Sequence, residues 1–334
     1  MKIRTITMFV NVEGGDLDGE GEGLDAKLAF ALDAAASIQG ALEEQFYEIQ
    51  TVRVSTNSFE EWLCLEGDVM SEKLALVSRL VSSRNIQFFN FGPATSPAGL
   101  PCVIPILKTS ESFSTSVCIP SSITGLPDYG FCLACAEMVR KLGEETEGGL
   151  GNFRFCGSSQ VKPFTPFYPA SYSTGAASCF SFSIGTECGD LLFLAFHGVS
   201  DLEEGRTRLN TTLSQVYVGL DEILGGLNFE PPVLHPEWSV AYKGLDVSMN
   251  PSLDAGESVA LGFEWLKFGE HFGDWGSLVC VCMCVCVCVC MCLCMCMCLC
   301  MCMCLCICLC LYLYVHMCVR LYIYRLYVLW SLQC

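Results

Sequence analysis

The residues of this chain best suited to chemistry are an arginine, two carboxylates and a group of hydroxyls and amides that fall where strands give way to loops. Arg53 and Asn57 flank one strand end, Glu187 follows another, and Asp246 and Ser248 close a third. Tyr168 and Tyr172 lie in a proline-rich stretch, which restricts the backbone around them. Such a set suits a small polar or anionic metabolite. Arg53, Asn57, Tyr168, Tyr172 and Ser248 would bind it, and Asp246 or Glu187 would act as general acid or base. Strand ends are also where α/β barrels carry their active sites. The competing reading for each residue is hydrogen bonding to loop backbone and helix capping, because structural ion pairs occupy the same kinds of position.

Other motifs carry less. Cys132 and Cys135 form a C-x-x-C pair, but zinc needs four ligands and no second pair exists before residue 278. On a helix these two cysteines share a face with Val139 and Leu142, which predicts inert, buried thiols. Asp16, Asp18, Glu20 and Gly21 occupy positions of a calcium loop, yet Lys27 stands where a bidentate glutamate is required. A solvated acidic loop is the expectation. His197, His235 and His271 form no Ser-His-Asp constellation. No phosphate-binding glycine motif is present, so neither metal nor cofactor is expected.

The elements that must position these residues alternate. Residues 3–10 read as a strand, and 13–25 as a glycine-rich acidic loop with Asp25 as N-cap of a helix over 26–44. Residues 46–55 return to strand, and Ser71 caps a helix through Val81. A strand over 86–92 ends at Gly92-Pro93, and a helix spans 129–142. Strands follow near 152–156, 179–185 and 191–196. An amphipathic helix covers 206–224, with Leu209, Leu213, Val216, Leu220 and Ile223 on one stripe. A strand at 239–248 and a helix at 257–268 complete the pattern. Strands alternating with helices of this length predict an α/β fold with mostly parallel strands.

Composition divides the chain at about Ser277. From Cys280 to Cys310 every even-numbered residue is cysteine, separated only by Val, Met, Leu and Ile. Alternating TGT and GTG codons give Cys-Val, and single-base changes give Met and Leu. A translated dinucleotide repeat, read through from an intron, therefore accounts for 278–334 as a low-complexity tail. Hydropathy alone would make it a membrane span, and a genuine tail would make the chain membrane-anchored. The formal charge of −18 becomes −20 for residues 1–277 once the tail arginines Arg320 and Arg325 are set aside. Such acidity argues against nucleic acid and anionic membranes as partners. The eight cysteines of the body lack framework spacing, which fits reduced thiols in the cytoplasm. The N-terminus has no continuous apolar run of the signal-peptide kind.

Several blocks resemble one family. Met1-Lys-Ile-Arg-Thr-Ile-Thr-Met-Phe-Val-Asn-Val12, Gln50–Asn57, Pro163–Tyr172 followed by Phe182–Glu187, Tyr242–Pro251, Glu257–Ala260 and Phe272–Ser277 occur in the order found in the family called domain of unknown function 711. The resemblance implies an α/β barrel like that of pyruvate formate-lyase and related glycyl-radical enzymes. Members have no established reaction, and the family is not known to keep the radical glycine and relay cysteine, so radical chemistry is not expected. Members continue past the point matching Ser277. The chain therefore reads as a partial barrel over 1–277, incomplete at its C-terminus and expected to be unstable. The functional expectation is an enzyme on a small polar metabolite, with a non-catalytic metabolite-binding protein or homo-oligomeric subunit as the alternative.

Overall fold

A computed structural model describes residues 1–121 and 125–248. The expected helix at 257–268, the family-like blocks at 257–260 and 272–277, and the tail at 278–334 lie outside the described residues.

Among the described residues seven strands form one mixed sheet: β1 (Lys2–Val10), β2 (Val52–Thr56), β3 (Phe89–Ala94), β4 (Phe113–Ile119), β5 (Phe155–Ser159), β6 (Cys179–Glu187) and β7 (Ser239–Ser248). Their order is β5-β4-β3-β2-β1-β6-β7. Strands β1 to β5 are mutually parallel, β6 runs antiparallel to β1, and β7 is parallel to β6. The α/β class and the mostly parallel sheet expected from the sequence are what the chain adopts.

The crossovers are α1 (Glu22–Glu43), α2 (Gly67–Ser83), α3 (Val103–Thr109), α4 (Tyr129–Glu145), α5 (Gly189–Phe196) and α6 (Leu202–Gly225). Their apolar residues recur at helical spacing: Leu24, Leu28, Ala31, Ala35, Ile38 and Leu42 on α1, and Met70, Leu74, Val77 and Val81 on α2, are buried. These stripes pack on alternate strand residues, including Ile6, Met8, Val54, Phe89, Phe113, Val117 and Ile184, to form one core. Phe89, Phe91 and Phe113 meet within it at ring separations of 4.7–5.9 Å.

The structure corrects several boundaries. Helix α1 starts at Glu22 after Gly21, whose φ of 79° a glycine adopts without strain, so Asp25 is a first-turn residue and not the cap. Asp25 instead holds Arg84 at 2.6 and 2.8 Å, which keeps its carboxyl below the usual range. Helix α2 begins at Gly67, which makes Ser71 interior. The strand expected from 46 begins only at Val52. Residues 191–196 are helical, with Leu192, Ala195 and Phe196 inward; a short all-apolar run has no period to distinguish strand from helix. Strand β3 continues through Gly92-Pro93. Gly92 has a φ of +70°, and a Cβ there would lie 2.4 Å from the carbonyl oxygen of Asn57. Strand β4 and helix α3 were not expected.

Candidate functional site

In-register neighbours in a sheet point to the same face, and residues two apart along a strand share it. On the face opposite the helices this gives three rows: Asp246–Gly185–Thr5, Ser183–Thr7–Arg53 and Ser181–Phe9–Ser55–Asn90–Ser114. Ser116, Cys118, Cys156 and Ser158 extend the face to β5. Thr5, Thr7, Ser55, Asn90, Ser116 and Asp246 are all buried there. One sheet thus has an apolar, helix-covered face and a polar one.

Residues 161–176 lie across the polar face. The segment contains Pro163, Pro166 and Pro169, each without an N–H, and its carbonyls have no strand to pair with. Side chains of the sheet supply the donors. Thr7 Oγ1 donates to Pro166 O at 2.9 Å, and Ser183 Oγ to Phe164 O at 2.8 Å. Asn90 Nδ2 donates to Pro169 O at 2.9 Å and Ser171 O at 3.0 Å, and Asn11 Nδ2 to Ala176 O at 3.1 Å. Phe164 meets Phe9 edge-on at 5.3 Å. Phe167 covers Gly185, where an added Cβ would lie 2.9 Å from its ring.

Asp246 is 5% exposed. Its Oδ1 accepts from the Val247 N–H at 2.8 Å, and its Oδ2 from the Thr165 hydroxyl of the covering segment at 3.3 Å. It has no cationic partner among the described residues. Burial pushes its carboxyl up to about 7, against the two hydrogen bonds that favour the ionised form. Glu187 lies two residues beyond Gly185 on the same face and in register with Ser248. It accepts from Arg4, the bulge residue of β1, at 2.7 Å. The structure therefore gathers Asp246, Glu187 and the Ser248 backbone at one end of the polar face; the Ser248 side chain lies outside the description.

Arg53 and Asn57 do not flank one strand end. Arg53 is the second residue of β2, and Asn57 follows its last. The Arg53 guanidinium stacks over Phe88 at 5.3 Å and Tyr168 at 5.1 Å, and its Nε donates to Thr51 Oγ1 at 3.1 Å. Burial lowers its pKa, the Tyr168 hydroxyl opposes that shift, and the neighbouring Arg4 adds to it. The Tyr168 hydroxyl donates to the backbone oxygens of Val54 and Phe88, and burial raises its pKa. Asn57 is committed to Val12 and Glu61: it accepts from Val12 N at 2.8 Å and donates to Val12 O at 3.1 Å and to the Glu61 carboxylate at 2.6 Å. Tyr172 donates to Val161 O at 2.9 Å, closing the covering segment on itself. Asn57 and Tyr172 thus hold the architecture, while Arg53 keeps terminal nitrogens without a hydrogen-bond partner among the described residues.

The chain matches the family described as uncharacterised ACR (DUF711) over residues 1–287. It belongs to the DUF711 family. No curated protein matches it. Strand β1, the Gln50–Asn57 block and the Pro163–Tyr172 segment, which carry part of the DUF711 resemblance, contribute to the polar face and its cover.

The remaining motifs of this DUF711 chain resolve as structure. Lys27, the residue out of place for a calcium loop, is 4% exposed and donates to Asp16 at 2.6 Å and Asn11 O at 3.0 Å. It neutralises the first carboxylate of that loop. Cys135 is buried, and desolvation raises its thiol to about 12; Val139, expected beside it, is exposed. No disulfide joins any of the eight described cysteines. No cluster of three or more metal-ligating side chains occurs among the described residues, and no described helix is long and apolar enough to cross a membrane.

Sequence reasoning missed the serines. The hydroxyls of Ser55, Ser114, Ser116, Ser171 and Ser173, with Asn11 Oδ1, are buried without a hydrogen-bond partner among the described residues. An unpaired buried hydroxyl costs about 1–3 kcal/mol, so this group weighs heavily against a domain stability of about 5–15 kcal/mol. The signal was present in Phe113-Ser-Thr-Ser-Val-Cys-Ile119 and Cys179-Phe-Ser-Phe-Ser-Ile184, where serine recurs at every second position.

Proposed function

We propose that this protein acts on a small polar or anionic metabolite by acid/base chemistry on the polar face of its sheet, with Asp246 as the proton-transferring group. One observation carries the reading: a carboxyl buried on a polar face, partnered by a hydroxyl of a covering segment and poised to exchange a proton near neutrality. Arg53 supplies the anion anchor, since its guanidinium meets no carboxylate among the described residues. Strand spacing puts the two residues about 16 Å apart at Cα, and the arginine side chain closes part of that span. Phe167 stands between them, so a substrate that touches both displaces it. Glu187 is held by Arg4 and orients that end of the face. The chemistry needs no glycyl radical. We read the sheet as part of a barrel of the pyruvate formate-lyase kind, supported by five parallel strands followed by an opposed parallel pair. The lack of disulfides among the described cysteines fits a cytoplasmic setting.

The alternative is a non-catalytic metabolite-binding protein, favoured by the commitment of Asn57, Tyr168 and Tyr172 to backbone carbonyls. Purified protein incubated with a metabolite extract, followed by mass spectrometry, separates the two. We expect one small polar compound to be consumed by the wild type and not by Asp246→Asn. Equal consumption by both sinks the acid/base role. Retention of a compound without consumption establishes the binding protein instead.

A further inference from the structure

The unpartnered hydroxyls lie away from Asp246 and raise a separate question. Ser55, Asn90 and Ser114 are consecutive in-register positions on β2, β3 and β4. Ser116 follows on the same face of β4, and Ser171 faces them from the covering segment, its carbonyl tied to Asn90. Ser55, Ser116 and Ser171 have no solvent exposure at all, and neither their hydroxyls nor that of Ser114 has a partner among the described residues. Asn90, by contrast, is fully used: it donates to Pro169 O and Ser171 O and accepts from Gly92 N–H at 2.9 Å.

A hydroxyl both donates and accepts, and one buried without a partner is destabilising. The three on the sheet, Ser55, Ser114 and Ser116, with adjacent strands about 4.8 Å apart, present a surface about the size of a small sugar. A water or a ligand hydroxyl would satisfy them; the apolar or proline residues of the cover cannot. No ionised side chain stands at Ser55, Asn90, Ser114 or Ser116; the nearest on this face of β2 is Arg53, one row away and stacked on Phe88 and Tyr168.

We propose that Ser55, Asn90, Ser114 and Ser116 form a binding site for a small, neutral, hydroxyl-bearing ligand of the polyol or sugar class, and that Pro169–Ser173 occupies this site when it is empty. The ligand replaces the cover: its hydroxyls accept from the Asn90 amide in place of the Pro169 and Ser171 carbonyls, and pair with the serines that the cover leaves unsatisfied. The proposal is independent of acid/base chemistry at Asp246.

Saturation-transfer NMR on the full chain with glycerol, ribitol and glucose tests it, with glycerol phosphate and lactate as charged controls. Transfer to at least one neutral compound is expected, together with at least a tenfold loss of affinity in Ser55→Ala/Ser116→Ala. The melting midpoint of that variant, unchanged or raised without ligand, establishes that it is folded. Amide exchange at Ala170–Ser173 in the wild type provides a second readout free of substitution, and should change on adding the compound that shows transfer. Transfer from the charged controls alone, transfer retained in the variant, or no response from any neutral compound by either method would overturn the site. Asp246→Asn should leave this binding unaltered, so failure here and failure of the acid/base reading are separable.

Discussion

The two faces of the sheet are made by the same strands and held together by opposite means. Toward the helices, Met8, Val54, Phe89 and Phe113 form one in-register row, and the neighbouring Ile184, Ile6 and Val52 another. That face is closed by apolar contact with α1 to α6, which is non-directional and tolerates rearrangement. Away from the helices, the row Ser181–Phe9–Ser55–Asn90–Ser114 meets a proline-rich segment through directed hydrogen bonds to its carbonyls. Hydrogen bonds contribute little net stability but are costly when left unmade. One face therefore supplies folding energy, and the other supplies a specific, replaceable fit. Asp246, Arg53 and the unpartnered Ser55, Ser114 and Ser116 all lie on the second.

The comparison is most easily broken by large truncations. Phe113→Ala on the helix-covered face should cost about 3–5 kcal/mol through lost burial and a residual cavity, read as a fall in the urea midpoint. A loss under 1 kcal/mol would mean that this face is not the energetic core. Asp246→Asn should act in the other direction. The carboxyl of Asp246 is raised from 3.8 to about 7 in the folded chain, so the native state holds a proton that the unfolded state has released between those values. Stability from this group is present at low pH and is lost as pH rises toward 7. Above pH 7 the variant should exceed the wild type by up to about 4 kcal/mol, and the gap should close below pH 4. Asp25, lowered by Arg84, slopes the opposite way in both proteins and cancels in the difference. Urea midpoints from pH 4 to 8 that differ by a constant would sink the buried-carboxyl assignment.

Legibility in the sequence followed the same division. The apolar face was readable because its signal is periodic: the stripes of α1, α2 and α6 and the β-branched run of β1 each carry a period that predicts an element. Even there the α6 stripe is turned by a residue, since Tyr217 and Leu224 are buried where Val216 and Ile223 were expected. The polar face was not readable as a face. Strand β4 carries no expectation from the sequence; its alternate serines in Phe113–Ile119 face a polar segment, so the strand lacks an apolar period on that side. Asp246, Glu187 and Arg53 were legible as residue types at strand boundaries. Their grouping was not, because β6 runs antiparallel to β1 and carries Glu187 to the end of the sheet where the parallel strands begin. Asn57 and Arg53, at opposite ends of β2, also differ in role: one clamps Val12, and among the described residues the other meets aromatic faces and Thr51.

Asn57→Ala sharpens that separation at an intermediate magnitude. It strands the Val12 N–H and C=O in the interior, so about 2–4 kcal/mol of stability should be lost. Arg53→Ala, whose main partners are the Phe88 and Tyr168 rings, should cost about 1 kcal/mol while weakening any anionic ligand at least tenfold. Equal destabilisation by the two, measured by thermal melts, would show that Arg53 is as structural as Asn57.

The smallest expected effect separates unpartnered from hydrogen-bonded hydroxyls within the polar face. Ser116→Ala deletes a single hydroxyl from a residue with no solvent exposure. If that hydroxyl had a hidden structural partner, its loss would strand the partner and cost about 1–3 kcal/mol, as at any satisfied buried site. It has no partner among the described residues, so deletion removes a desolvated polar group and leaves nothing behind. The midpoint should stay within about 0.5 kcal/mol of wild type or rise slightly. Ser158→Ala on β5 is the matched control, because its hydroxyl donates to Val117 O at 3.1 Å and its loss should destabilise. A destabilised Ser116→Ala beside a neutral Ser158→Ala would reverse the assignment of which serines are spoken for, and with it the view that the polar face holds binding capacity in reserve.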